Sequence, residues 1–402
     1  MKNVVVIGAG QAGCSVVTRL RGNGFDGSIT LIGEEPVVPY QRPPLSKKYL
    51  QGEMERPRLF LRPEKYYFDN NIDIRLNQTV TAIDRDNRTV RCGENTHSYT
   101  DLVLATGAKP HRLPRASGGE LQNVFCVRTL KDIDQMKPAF RPGARLLVIG
   151  GGYIGLEAAA VAAKTGLKVT LVEMAERILQ RVAAKESSDY FRSLHKGHGV
   201  DIREGVGVTR LLGDTQVTGA LLSDGSKLEA DFVISGIGVA PATKLAEDAG
   251  LAIENGVRVD EFGRTSDANI WAAGDCASFP YQGSRVRLES VPNAIDQSEC
   301  VADNVMGAEK EYEAKPWFWS DQYDVKLQIA GLNQGYDRVV SRTTDNVSKS
   351  FWYYQGERLL AVDALNAPRD YMVAKRLIES GKSPVPELVS NLETNLKALL
   401  QT

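Results

Sequence analysis

The strongest constraint on this chain is a short pattern that occurs twice. Val4-Val5-Val6-Ile7 runs directly into Gly8-Ala9-Gly10-Gln11-Ala12-Gly13, and Leu146-Leu147-Val148-Ile149 into Gly150-Gly151-Gly152-Tyr153-Ile154-Gly155. Four successive apolar residues without polar alternation predict a strand buried on both faces. The first glycine of each set makes a tight turn. The second lets the backbone approach a pyrophosphate, and the third lets the following helix pack against the strand. The helix start then offers unpaired N–H groups and a partial positive charge to that anion. A second strand follows each loop, Ser28 to Ile32 and Lys168 to Val172, with Glu34 and Glu173 placed to hold a ribose hydroxyl. Asp101 to Gly107 and Asp231 to Gly236 predict a further matching pair of buried strands. Two such units in one chain predict two bound dinucleotides.

The chain has 402 residues, enough for two or three domains. Its formal net charge of −1 argues against a general nucleic-acid binder. No apolar run approaches the length of a membrane span, so no membrane association is expected. The apolar run after Met1-Lys2-Asn3 leads into a glycine loop and reads as a strand, not a signal peptide. The five cysteines, Cys14, Cys92, Cys126, Cys276 and Cys300, form no C-x-x-C and no metal-like spacing with the four histidines. No metal is expected, and a reduced, cytoplasmic protein is the simplest reading. His97, His111, His195 and His198 stand in polar surroundings and read as surface residues.

Pro43-Pro44 excludes a helix interior or central strand, and Ser46 to Leu50 predicts a short helix with Ser46 near its cap. Short strands are expected at Asp73 to Leu76, Thr79 to Asp84 and Thr89 to Cys92. Asp275 ends an apolar strand and reads as leading into a helix. From about Lys315 the composition becomes aromatic and alternates like antiparallel strands. Helices are predicted over Ala367 to Ser380 and Val385 to Leu400.

Two glycine loops, Ala105-Thr106-Gly107 and Gly274-Asp275, in this order, resemble the two-dinucleotide flavoproteins of the glutathione reductase superfamily. Arg42-Pro43-Pro44-Leu45-Ser46-Lys47, Arg128-Thr129-Leu130, Glu289-Ser290-Val291-Pro292-Asn293-Ala294 and Trp317-Phe318-Trp319-Ser320-Asp321-Gln322 resemble the ferredoxin reductases of bacterial cytochrome P450 and ring-hydroxylating oxygenase systems. The resemblance implies an α/β fold with two Rossmann-like domains and a C-terminal α+β domain. The expected bounds are 1–109 and 237–314 for FAD, 110–236 for NADH and 315–402 for the C-terminal domain.

The same resemblance implies that FAD is held by Gly8, Gly10, Ala12, Gly13, Glu34, Arg42, Lys47, Val80, Thr106, Gly107, Arg128, Asp275 and Val291. NADH would be held by Gly150, Gly152, Tyr153, Ile154, Gly155, Glu173, Arg177 and Gly238. Glu173 repels a 2′-phosphate and favours NADH, while Arg177 nearby works against that preference. Lys47 and Glu157 are the expected catalytic pair, facing each other beside the flavin. Read without the resemblance, Glu157 is equally a carboxylate placed at a helix start, and Asp275 a helix cap.

Disulfide reductases of the superfamily carry a cysteine pair in the stretch that corresponds to Arg42 to Tyr49, and here that stretch has none. Electrons are therefore expected to leave singly to an external carrier; the resemblance implies a [2Fe–2S] ferredoxin as that carrier, and a monomer or weak dimer is expected. A rubredoxin or monodehydroascorbate reductase is the alternative on the same scaffold. A DNA-binding signalling flavoprotein like apoptosis-inducing factor is a third reading. From Arg42 to Lys65, seven basic residues face only Glu53, Glu55 and Glu64. That segment is either a docking surface for an acidic partner, with Arg62 foremost and Arg285 and Arg287 behind it, or a solvated loop.

Overall fold

The computed structural model describes residues 2–344 and 347–401. The chain forms two compact units. One holds residues up to Arg42 with Glu55–Lys109 and Val239–Pro316; the other holds Pro43–Met54, Pro110–Gly238 and the chain from Trp317 onward.

The first unit is built on a five-stranded parallel sheet. In spatial order its strands are Ile270–Ala272, Asp101–Leu104, Asn3–Ile7, Ser28–Ile32 and Ile72–Arg75. Strand side chains alternate between faces, and both faces are covered, which is why the strands read as unbroken apolar runs. Val4, Val6, Leu31, Val103 and Trp271 meet the helices Gln11–Gly22 and Val291–Val305, including Val16, Leu20 and Val301. Val5, Ile7, Leu102, Leu104 and Ile270 meet the opposite layer, formed by residues such as Val90, Val257 and Phe279 of two small three-stranded sheets. The two helices are also joined by Arg19, which forks onto the Asp303 carboxylate at 2.7 and 2.9 Å.

The second unit repeats the sheet. Its strands are Val124–Phe125, Phe232–Ser235, Arg145–Ile149, Lys168–Glu173 and Asp201–Glu204, again parallel and in the same spatial order around the glycine loop. The outer strand comes from before the glycine loop in this unit and from far after it in the first. The C-terminal part is a five-stranded antiparallel sheet ordered Trp317–Gln322, Val325–Gly331, Arg358–Leu365, Lys349–Gln355 and Arg338–Thr343. The helix Pro368–Glu379 packs on it through Tyr371, Ala374 and Leu377.

Three predicted elements differ. Pro43–Ser46 is a 3₁₀ turn, and hydrogen-bonded turns follow it where a helix capped by Ser46 was expected. The adjacent prolines fix the tight turn and withhold two N–H donors. The Val385 to Leu400 helix is broken into Pro386–Ser390 and a 3₁₀ turn at Leu396–Leu400. Asn391 adopts an extended backbone, and the Asn395 side chain accepts from Lys397 N to start afresh. Asp275 lies in a turn that enters the strand Ala277–Tyr281, so no helix start stabilises its carboxylate from its own segment. Among the described residues no helix is long and apolar enough to cross a membrane.

One buried charge in the second unit makes a stability prediction. Asp363 is 1 % exposed and accepts from Ser187 Oγ at 2.6 Å and from the Tyr353 hydroxyl. Burial raises its pKa from 3.8 to about 6, against the lowering pull of those two donors. The folded state therefore holds a proton that the unfolded chain has lost between about pH 4 and 6. Stability must fall as pH rises through that window and stay lower above it. Asp363→Asn keeps an acceptor for both donors and removes the charge. The variant should be more stable than the parent above pH 6, by at most about 3 kcal/mol, and the difference should vanish near pH 4. Thermal melts of both proteins from pH 4 to 8 check this.

Candidate functional site

The glycine loops have matching shapes. A Cβ at Gly8, where φ is +114°, would lie 2.1 Å from the carbonyl oxygen of Ala105; one at Gly13 would lie 1.9 Å from that of Gly8. A Cβ at Gly150, where φ is +103°, would lie 2.4 Å from the Gly236 carbonyl oxygen, and one at Gly155 would lie 2.1 Å from that of Gly150. The middle glycines behave oppositely: nothing lies within 4 Å of a Cβ built at Gly10 or Gly152. Each loop is thus closed by backbone on two sides and open at its centre. Gly10 and Gly152 are also the extended N-caps of helices Gln11–Gly22 and Tyr153–Lys164. Neither helix has a side-chain cap or an acid in its first turn. Amide donors at a positive helix end, beside an open backbone face, fit a pyrophosphate.

Several predicted residues gather around the first loop. Gly274 approaches the helix so closely that a Cβ there would be 2.9 Å from Ala12 Cβ and 3.7 Å from Ala294 Cβ. This puts Ala12, the half-buried Asp275 and the helix that starts at Val291 in one neighbourhood. Thr106 Oγ1 donates to Ala242 O at 2.8 Å, and Ala242 N donates to Gly107 O at 2.9 Å. Glu34 is exposed beyond the second strand. Its neighbour Glu35 accepts from the Tyr40 hydroxyl at 2.6 Å and from Arg42 at 2.8 Å. Burial lowers the pKa of Arg42, but Tyr40, Glu35 and Asp275 outweigh it and raise it overall. Val80 is half-buried at the head of the strand Val80–Asp84. Arg62 is exposed, its guanidinium 5.5 Å from the Tyr66 ring centre. Arg285 and Arg287 are turned inward, onto Val259 O and Ser278 O and onto Glu289.

In the second unit Glu173 reaches across to the second loop. One carboxylate oxygen accepts from Gly151 N at 2.7 Å, the other from Ala175 N at 2.8 Å. Arg177 donates to Ser188 Oγ and is anchored there. Tyr153 lies against Phe318, ring centres 5.2 Å apart, and Ile154 is exposed. Gly238, with φ +98°, has His111 and Arg181 beside it. Arg128 is half-buried, directly before Thr129, which caps the helix Leu130–Met136.

Lys47 and Glu157 meet as expected, 3.0 Å apart, with Asp321 3.5 Å from the same ammonium group. Glu157 is the fifth residue of its helix and buried, so it is not a carboxylate at a helix start. Ser46 Oγ donates to its Oε2 at 2.9 Å and Ser320 Oγ to its Oε1 at 2.7 Å. Burial pushes its pKa up, against the lowering pull of Lys47, Ser320 and Ser46. Sequence reasoning missed Ser320 and Asp321 as partners, although both lie in a quoted motif; the i, i+2 alternation of Ser320 and Gln322 on a strand was the available signal.

His195 corrects the surface reading. It is fully buried, its Nε2 2.8 Å from Gln322 Oε1, and burial lowers its pKa to about 4. All five cysteines are buried and unpaired. Among the described residues no group of three or more His, Cys, Asp or Glu side chains could hold a metal ion.

Two dinucleotide cradles on two like-ordered parallel sheets define a class. The chain belongs to the pyridine nucleotide-disulphide oxidoreductase family, whose profile matches residues 2–298, and residues 317–400 match the reductase C-terminal family. It is 42% identical to rhodocoxin reductase of Rhodococcus erythropolis over 400 residues, 98% of this chain and 93% of that protein. It is also 42% identical to putidaredoxin reductase of Pseudomonas putida over 407 residues, 99% of this chain and 96% of that one. The crystal structure of the covalent putidaredoxin reductase–putidaredoxin complex matches with a TM-score of 0.96 and covers 100% of this chain and 98% of that one. The chain is accordingly an oxidoreductase of the pyridine nucleotide-linked class.

Proposed function

We propose that this enzyme reduces a [2Fe–2S] ferredoxin with electrons from NADH, and that the ferredoxin supplies a cytochrome P450 or ring-hydroxylating oxygenase. One observation carries the reading: two matched dinucleotide cradles stand in a chain whose cysteines are all buried and unpaired. Bound FAD supplies the chemistry that joins a two-electron donor to a one-electron acceptor. Domains 1–109 with 237–314, 110–236 and 315–402 serve FAD, NADH and the C-terminal α+β part.

In this reading Gly8, Gly10, Ala12 and Gly13 bind the FAD pyrophosphate, and Glu34 binds the ribose. Arg42, Val80, Thr106, Gly107, Arg128, Asp275 and Val291 line the remainder. Gly150, Gly152, Tyr153, Ile154, Gly155 and Gly238 receive NADH. Lys47 would bring a positive charge to bound flavin and so favour its taking up electrons. Glu157 and Asp321 hold that ammonium group in place. Unpaired thiols throughout fit a reducing, cytoplasmic setting. Optical assay of NADH-driven reduction across a panel of ferredoxins and rubredoxins tests the proposal. Ferredoxin should be the better acceptor.

Coenzyme choice is testable separately. Glu173 already accepts from two backbone N–H groups and keeps lone pairs for a ribose 2′-OH, while Arg177 is engaged with Ser188. NADH should exceed NADPH in kcat/KM by about a hundredfold, two hydrogen-bond-sized increments. Glu173→Ala should narrow that ratio. A parent enzyme that prefers NADPH would overturn the assignment.

A further inference from the structure

Glu157 is the end of a longer buried chain. Ser320 and Gln322 stand two apart on the strand Trp317–Gln322 and so point to the same side. Gln322 Nε2 donates to Ser320 Oγ at 3.2 Å. Ser320 has a single proton, and it goes to Glu157 Oε1. Gln322 Oε1 must then accept from His195, so the imidazole carries its proton on Nε2. His195 Nδ1 is left as the acceptor, 3.3 Å from the Tyr323 hydroxyl. Tyr323 is in turn stacked on His198, ring centres 3.7 Å apart. Glu157, Ser320, Gln322 and His195 are all buried, and Ser320, Gln322 and His195 are 0% exposed. Every donor and acceptor role along the chain is fixed by the next.

We infer that His195, through Gln322 and Ser320, is a positioning residue for the Glu157–Lys47 pair. This rests on the proposed role of that pair. An amide does not readily relay a proton, so Gln322 makes the chain a device for orientation and not a proton path. Its effect is to keep the Ser320 hydroxyl aimed at Glu157 Oε1, the oxygen that also holds Lys47. Without His195, the Gln322 carbonyl oxygen loses its buried donor. The amide can then turn, and Ser320 is free to redirect its proton.

The test is stopped-flow reduction of the FAD-loaded enzyme by NADH, with FAD content and the NADH concentration dependence measured alongside. His195→Leu and Gln322→Leu should each slow flavin reduction about tenfold, with the half-saturating NADH concentration and FAD content within about twofold of the parent. His195→Gln, which can return an amide N–H donor to the place of Nε2, should restore the rate to within about threefold. In a Glu157→Gln background, His195→Leu should cost less than about twofold more, because the ion pair with Lys47 that it positions is already gone.

A slow Glu157→Gln enzyme beside a normal His195→Leu enzyme would overturn the inference and leave the pair's role standing. A normal Glu157→Gln enzyme would overturn the pair's role itself, and the inference with it. An FAD-loaded His195→Gln enzyme as slow as His195→Leu would also overturn the inference. Should the leucine variants fail to fold, Ser320→Ala decides: a tenfold slower rate at unchanged half-saturation supports the inference, and an unchanged rate overturns it.

Discussion

Gly155→Ala should sharply weaken reduction by NADH while FAD stays bound. The added methyl would stand 2.1 Å from the Gly150 carbonyl oxygen and 3.4 Å from Val148 Cγ1. Backbone cannot move aside as a flexible side chain can, so the helix Tyr153–Lys164 must shift from the strand Arg145–Ile149. Overpacking of this kind costs about 1–3 kcal/mol, and here it falls on the amides proposed to receive the pyrophosphate. The loss in kcat/KM for NADH should reach about a hundredfold.

Gly13→Ala is the counterpart in the first unit, with its methyl 1.9 Å from Gly8 O, and it should yield protein depleted of FAD. Gly152→Ala separates binding from folding. Its methyl would meet no protein atom within 4 Å, so thermal stability should hold while NADH affinity falls. Flavin absorbance after purification, thermal melts and steady-state kinetics check all three. A Gly152→Ala enzyme with unchanged NADH kinetics would mean that the second loop carries no dinucleotide.

Lys47→Met should have the second large effect, on stability and rate together. It strands Glu157, 6% exposed, as a carboxylate without its cation. Removing one partner of a buried pair costs about 3–5 kcal/mol, unless the group takes up a proton instead, toward which burial already pushes it. The companion variant Lys47→Met/Glu157→Gln removes both charges and keeps an acceptor and a shape for Ser46 and Ser320. Its stability should return to within about 1 kcal/mol of the parent, while NADH-driven flavin reduction stays at least about tenfold slow. Recovery of the rate along with the stability would show that the pair is structural.

These two predictions rest on features that were unequally visible in the sequence. The loops were legible because a glycine code is local: turn, open centre and close packing lie within six residues. Both parallel sheets followed from runs such as Val4 to Ile7, which only a doubly covered strand permits. The surroundings of Glu157 were less so, because Ser46 and Ser320 reach it from 111 and 163 positions away. His195 was misread for a related reason. His195-Lys196-Gly197-His198 looks like a solvated helix end, yet Phe191 one turn earlier marks the face that is buried. Asp275 misled because a strand, glycine and acid in succession also describe a strand–turn–strand corner. The break at Asn391 was hidden by apolar residues at 385, 388, 389 and 392, whose spacing suits a helix until a local side-chain cap interrupts it.

In the proposed function, electrons pass from NADH through bound FAD to a one-electron iron–sulfur carrier, with no thiol stage. Anaerobic titration of the purified enzyme with NADH, in the presence of excess [2Fe–2S] ferredoxin and followed by thiol alkylation, tests it directly. The expected result is a yellow protein, about two ferredoxins reduced for each NADH consumed, and no thiol beyond those of the oxidised enzyme. New alkylatable thiols in step with NADH consumption, with the ferredoxin left oxidised, would contradict it.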